Sequence, residues 1–135
     1  MSTSTPMSEV VSEDECDALR LAHQGDVRAA ALILARPQGS VEDDLGGLKW
    51  VLDTITATAG ILRQTLPTSR AASADSSMPF DVALRFVDRS LAGALDSWVI
   101  SDLSQDERAS LLAVVDRFIS AVNAACVLRA SVDLG

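Results

Sequence analysis

The single histidine of the chain, His23, lies near two other side chains that could take part in chemistry. Cys16 comes seven residues before it, and Asp26 comes three residues after it. Imidazole and thiolate are common zinc ligands, and an imidazole beside a carboxylate is a common general base. Residues seven apart on one helix are separated by roughly 10 Å, whereas zinc binds its ligands at about 2 Å. The spacing therefore argues against a shared metal ion, and we predict no metal site.

Nucleophilic catalysis and phosphate binding have no better support. The sequence has no Gly-x-Ser-x-Gly turn, no Walker-type lysine motif and no dinucleotide-binding glycine motif. Cys16 lies among four carboxylates, which disfavour a thiolate: Glu13, Asp14, Glu15 and Asp17. We therefore predict that the protein is not an enzyme and that it has no catalytic residues and no cofactor.

Composition and charge narrow the choice of partners. The chain has 135 residues, enough for one domain with a buried core, and a formal net charge of −8. Residues 1–44 hold nine carboxylates and three arginines, so most of the negative charge lies there. Nucleic-acid binding needs cationic side chains, so we expect a protein partner instead of nucleic acid. The negative charge permits that partner to be basic, and an acidic surface that serves only solubility is the alternative. With no signal peptide and every apolar run broken by charges, we expect a cytoplasmic protein without a membrane contact.

Start and stop signals for helices divide the chain into a tail and one domain. Residues 1–11 have the composition of a disordered tail, and residues 12–135 are predicted to form a single all-α domain. The domain begins with an acidic helical hairpin over 12–36, and a capping box at 12–15 starts its first helix. Within that hairpin Gly25 ends the first helix and Asp26 caps the second.

Three longer helices follow the hairpin. We predict them over 40–66, 79–100 and 104–132, with a flexible linker rich in serine and alanine at 67–78. Apolar residues in the first two repeat in alternating steps of four and three, which is the spacing of a helix-bundle seam. The seams are Val41, Leu45, Leu48, Leu52, Ile55, Ala59, Leu62 and Leu66, and then Phe80, Leu84, Val87, Leu91, Ala94 and Trp98. The predicted fold is an antiparallel helical bundle of about five helices.

The last helix has an unusually wide apolar face. Its three stripes begin at Leu111, Leu112 and Val114, and a face of that width packs against more than one neighbour. Part of this surface, including Leu112 and Ile119, could meet another chain. We therefore favour a homodimer over a monomer.

Eight residues form the candidate interface. Trp50 lies beside the seam of the third helix and is either a core-edge residue or an exposed anchor. Arg85 and Arg89 on the fourth helix are either salt-bridged to nearby aspartates or available to an acidic partner. The full set is Glu13, Asp14, Asp17, Trp50, Arg85, Arg89, Leu112 and Ile119.

These observations favour a non-enzymatic module for protein–protein interaction. It would act as an adaptor, an inhibitor or a chaperone-like regulator that self-associates through its bundle. Two alternatives stay open at this point. One is a small-molecule sensor or carrier with an apolar cavity in the bundle. The other is an acidic mimic of nucleic acid that blocks a nucleic-acid-binding protein.

Overall fold

The computed structural model describes residues 13–66, 78–93, 100 and 102–134, with side chains as far as 131. Within these ranges the chain forms five helices and no strand, which confirms the predicted all-α class. The helices are α1 (Glu13–His23), α2 (Val27–Leu34), α3 (Val41–Gln64), α4 (Phe80–Leu91) and α5 (Gln105–Leu134). The predicted tail 1–11, the cap at Ser12 and residues 67–77 of the predicted linker lie outside the described residues.

The turn between α1 and α2 is the predicted helix stop followed by a helix start. Gly25 has φ +95°, a left-handed conformation that glycine adopts without a Cβ clash. The N–H groups of Gly25 and Asp26 donate to the carbonyls of Ala22 and Leu21, at 2.9 and 2.8 Å. This is the bond pattern of a Schellman motif. Asp26 Oδ1 then accepts the N–H of Ala29 at 3.1 Å and so caps α2.

Two further caps fix where α3 and α5 begin. Ser40 Oγ accepts the N–H of Asp43 at 3.1 Å, as expected for a serine N-cap. At the start of α5, Ser104 Oγ accepts the Glu107 N–H at 3.0 Å, and Glu107 Oε1 accepts the Ser104 N–H at 2.8 Å. This reciprocal pair is the capping box predicted from the sequence.

The helix predicted over 79–100 is shorter in the structure. α4 ends at Leu91, because Gly93 takes φ +73° and leaves the helical path. The apolar repeat continues past this glycine in the sequence, which is why the prediction ran on to 100. Ala94 and Trp98 of that repeat lie outside the described residues. Met78, the last residue of the predicted linker, is buried and belongs to the core.

α5 lies at the centre of the bundle. It contacts all four other helices, most extensively α3 and α2, as its wide apolar face predicted. Its buried side chains include Leu111, Leu112, Val114, Val115, Phe118, Ala121, Val122 and Ala125. The α1–α2 hairpin therefore packs along α5 of the same chain.

The apolar character of α5 also corrects one expectation. Residues 105–131 are long and apolar enough to cross a membrane by length and composition, although charges were expected to interrupt every such run. This is weak evidence for a membrane span, because the core helix of a soluble bundle meets the same criteria. The contacts of α5 with its four neighbours account for its composition.

α3 and α5 run antiparallel. Near the end of α3, Arg63 pairs with Asp116, and the carbonyl of Thr65 accepts a bond from Arg108 at 3.1 Å. Near its start, Asp44 pairs with Arg129 at 2.8 Å. The inward face of α3 is made of Leu48, Val51, Ile55, Thr58, Ala59 and Leu62. This face shares Leu48, Ile55, Ala59 and Leu62 with the predicted seam, whereas Val51 is buried and Leu52 of the seam is only partly buried.

Candidate functional site

An open groove lies where the start of α1, the end of α2 and the first half of α3 meet. It encloses about 530 Å³. Its apolar lining includes Leu48 and Val51, which are buried, and Ile33 and Leu34, which are partly buried. We call this feature the acidic groove; its lining residues are Glu13, Asp14, Glu15, Ile33, Leu34, Arg36, Gln38, Asp43, Asp44, Gly47, Leu48, Trp50 and Val51.

The charge of the acidic groove comes from two helix starts. The first turn of α1 contributes Glu13, Asp14 and Glu15, and the first turn of α3 contributes Asp43 and Asp44. Carboxylates are stabilised at these positions by the helix dipole, which explains each acidic run separately. The α1–α2 hairpin and α3 each pack against α5, and this arrangement brings both runs to one depression. Five carboxylates and one guanidinium, that of Arg36, line it.

Trp50 is the exposed apolar side chain of this groove. It is 51% exposed, so it is an exposed residue and not a core-edge one. The other large apolar side chains that are exposed among the described residues do not line the groove: Leu32, Val127 and Leu128. Tryptophan is enriched among the residues that dominate binding energy at protein interfaces. The groove thus places an apolar anchor next to a cluster of negative charge.

A buried ion pair holds one wall of the acidic groove. Arg129 Nε lies 2.8 Å from Asp44 Oδ2, and the two side chains are 5% and 11% exposed. The same Oδ2 accepts the Gln38 N–H at 3.0 Å, while Arg129 Nη2 donates to the Gly39 carbonyl at 3.1 Å. The hydrogen bond from Gln38, with help from Arg129, lowers the pKa of Asp44. Arg129 on α5 therefore fixes the α2–α3 loop against the start of α3.

Asp14 is held from the same loop by two side chains. Gln38 Nε2 donates to Asp14 Oδ2 at 2.9 Å. Arg36 Nη1 lies 3.9 Å from Asp14 Oδ1, and the Arg36 and Asp14 side chains are 62% and 35% exposed. The amide contact is thus at hydrogen-bonding distance, whereas the guanidinium contact is long and solvated.

Three of the eight candidate interface residues meet at the acidic groove: Glu13, Asp14 and Trp50. Asp17 lies outside it and pairs with Arg20 at 3.7 Å on the exposed side of α1. Arg85 and Arg89 are exposed on α4 and do not line it. Ile119 is partly buried against the core.

The prediction that Leu112 lies at an interface with another chain is wrong. It is 1% exposed, so it packs within its own chain and offers no surface to a second one. The sequence prediction failed because the width of an apolar face does not say how many neighbours cover it.

Sequence reasoning missed Arg36, Asp44 and Arg129. Arg129 had a recognisable signal, since it is a charged residue within the apolar second half of α5. A buried arginine requires a carboxylate or carbonyl partner, and Asp44 and Gly39 supply both.

His23 has a structural role. Its Nε2–H donates to the Met78 carbonyl at 2.6 Å, and its ring meets the Phe80 ring edge-on at 6.0 Å between centroids. The guanidinium carbon of Arg20 lies over the Phe80 ring, 4.8 Å from its centroid. These contacts join the end of α1 to the start of α4. No group of three potential metal ligands occurs among residues that the structure describes.

Neither cysteine has an environment that favours a thiolate. Burial raises the pKa of the Cys16 thiol, and the nearby Asp17 and Glu13 raise it further against the opposing effect of Arg20. Burial likewise raises the pKa of Cys126, with Lys49 opposing. Nucleophilic cysteines have lowered pKa values, so both thiols are shifted in the opposite direction.

Comparisons of the chain with protein-family profiles, with curated proteins and with solved structures find no match. Inferences about function therefore depend on the geometry of the acidic groove.

Proposed function

We propose that this protein is a non-enzymatic interaction module whose acidic groove binds a basic amphipathic helix of a partner protein. One observation carries the proposal: an exposed tryptophan and the acidic first turns of two helices line the same apolar depression. An apolar anchor supplies most of the affinity of such a contact. Surrounding charge supplies specificity and speeds association.

The chemistry of the groove selects the occupant. An amphipathic helix places apolar side chains on one face, spaced to fit a groove such as that lined by Leu34, Leu48 and Val51. Lysine and arginine on the flanks of that helix would face Glu13 and Asp43. A basic partner therefore satisfies both the apolar and the charged lining.

Two other occupants fit less well. Residues 1–11 contain Glu9 and no lysine or arginine, so they bring no cationic side chain to the groove. A second copy of the chain carries a net charge of −8 and would be repelled. Self-association through α5 has less support than binding at the groove, because Leu112 packs internally.

The alternatives from the sequence are affected differently. A carrier needs an enclosed apolar cavity, whereas the acidic groove is open and is lined by five carboxylates. A nucleic-acid mimic is favoured by one observation, the convergence of the acidic turns of α1 and α3. A mimic would bind its partner through charge, so Trp50 distinguishes the two functions.

The test uses a fluorescein-labelled peptide of about 18 residues, roughly five helical turns, with leucine on one face and lysine elsewhere. Fluorescence anisotropy measures its binding to the wild type, to Trp50→Ala and to the control Leu32→Ala, which removes an exposed apolar side chain outside the groove. Since anchor residues dominate binding, we expect Trp50→Ala to weaken binding by about tenfold or more and Leu32→Ala to change it little.

Salt and peptide charge complete the experiment. A peptide with glutamate in place of lysine should not bind. Binding that disappears at high ionic strength and ignores Trp50→Ala would identify a nucleic-acid mimic instead. Binding that persists at high ionic strength and responds equally to the Trp50 and Leu32 variants would refute the groove as the binding site.

A further inference from the structure

Arg36 has an unusual position in the acidic groove. It is the one cationic residue among the described residues that line it. Its guanidinium lies 3.9 Å from Asp14 and is largely exposed. Exposed ion pairs of this kind contribute little to stability, so this contact is easily exchanged for another.

We infer that Arg36 is a built-in competitor, which occupies in the free protein the place where a partner's lysine or arginine binds Asp14. The inference depends on the proposed function, because it concerns how the acidic groove selects its ligand. It makes Arg36 a residue that weakens binding. Removing its charge should therefore increase affinity for a basic ligand.

The surroundings of Asp14 support this role. Gln38 donates its side-chain amide to Asp14 at 2.9 Å, and this neutral bond leaves the carboxylate negatively charged. Gln38 is itself held, since its backbone N–H donates to Asp44 at 3.0 Å and Arg129 holds Asp44. When Arg36 moves away, Asp14 thus keeps its position and needs only a new cation. A preorganised carboxylate loses little freedom when a ligand arrives.

Asp44 shows the contrasting arrangement in the same groove. Its partner Arg129 is almost fully buried and also donates to the Gly39 carbonyl. An incoming cation cannot replace Arg129 without leaving a buried guanidinium unpaired, which is strongly unfavourable. The two aspartates therefore differ in function: Asp44 maintains the groove, and Asp14 receives the ligand.

The experiment compares Arg36→Ala with Arg28→Ala, using the basic helical peptide described above. Arg28 is exposed on α2 and does not line the acidic groove. Its removal changes the net charge by the same amount as Arg36→Ala without changing the groove. We expect Arg36→Ala to tighten binding by about two- to fivefold, the range for an exposed ion pair. Arg28→Ala should have a clearly smaller effect. Adding Asp14→Asn should abolish the gain from Arg36→Ala, and circular dichroism should show that every variant remains folded.

Three outcomes would overturn this inference. Equal tightening by both arginine variants would mean that only net charge matters. Weaker binding by Arg36→Ala would mean that Arg36 helps to hold the ligand. If Arg36→Ala still tightens binding in the presence of Asp14→Asn, Arg36 does not act by occupying Asp14. If the wild type binds the peptide and Trp50→Ala weakens that binding, these outcomes contradict only the role of Arg36. If the wild type shows no binding that depends on Trp50, the proposed function itself is wrong.

Discussion

Phe118→Ala should reveal how much of the fold depends on α5. Phe118 is among the largest fully buried side chains, at 0% exposure, and sits in the middle of the central helix. Truncating a buried phenylalanine to alanine costs about 3–5 kcal/mol, from lost apolar burial plus the remaining cavity. Domains of ordinary size unfold with about 5–15 kcal/mol, so the variant should lose a large part of its stability.

Urea denaturation followed by far-ultraviolet circular dichroism measures this loss. The midpoint should fall markedly while the slope of the transition stays unchanged, since the surface exposed on unfolding is nearly the same. Phe86→Ala on α4 is the matched control, because Phe86 is only partly buried and should lose clearly less. If Phe118→Ala lowered the free energy of unfolding by less than about 1 kcal/mol, the central position of α5 would be refuted, because truncating a fully buried phenylalanine costs clearly more than that.

Three further predictions concern a cap, an ion pair and the thiols. Ser104→Ala should lower the free energy of unfolding by about 0.5–2 kcal/mol in urea melts, because it removes the cap of α5, whereas Ser120→Ala on its exposed face should not. The pKa of Asp44 is lowered in the folded state, so its charge stabilises the protein above the unfolded pKa of about 4. The wild type should therefore have a higher free energy of unfolding than Asp44→Asn, and urea melts should show this difference shrinking as the pH falls through the folded pKa of Asp44. Since burial raises both thiol pKa values, iodoacetamide should alkylate Cys16 and Cys126 only at a higher pH than it alkylates free cysteine.

Each of these has a contradicting result. Equal losses for Ser104→Ala and Ser120→Ala would mean that the capping box adds nothing to stability. A wild-type advantage over Asp44→Asn that grew on acidification would reverse the sign of the pKa shift. Alkylation at a pH below that of free cysteine, followed by mass spectrometry of the modified peptides, would show that one of the thiols is activated.

Local features of the fold were predictable because local chemistry determines them. Gly25 with Asp26, and Ser104 with Glu107, satisfy backbone groups that lie within one helical turn. The same local features did not predict the end of α4 before Gly93, because a glycine inside an apolar repeat can either continue a helix or end it. Only the surrounding packing decides between the two.

The acidic groove could not be predicted because it depends on where the α1–α2 hairpin and α3 each pack on α5. The acidic runs of α1 and α3 were both visible, and so was Trp50, but about 30 residues separate the two runs in the sequence. Their meeting depends on long-range contacts such as Arg129 with Asp44. Periodicity identifies the buried face of a helix, but it does not identify the helix that covers it.

The contact between Arg129 and Asp44 also has a consequence for the order of events during synthesis. The two residues are 85 positions apart, so the α2–α3 loop lacks its bonds to Arg129 until α5 has been synthesised. A chain truncated before α5 therefore lacks the buried arginine that holds this loop against the start of α3.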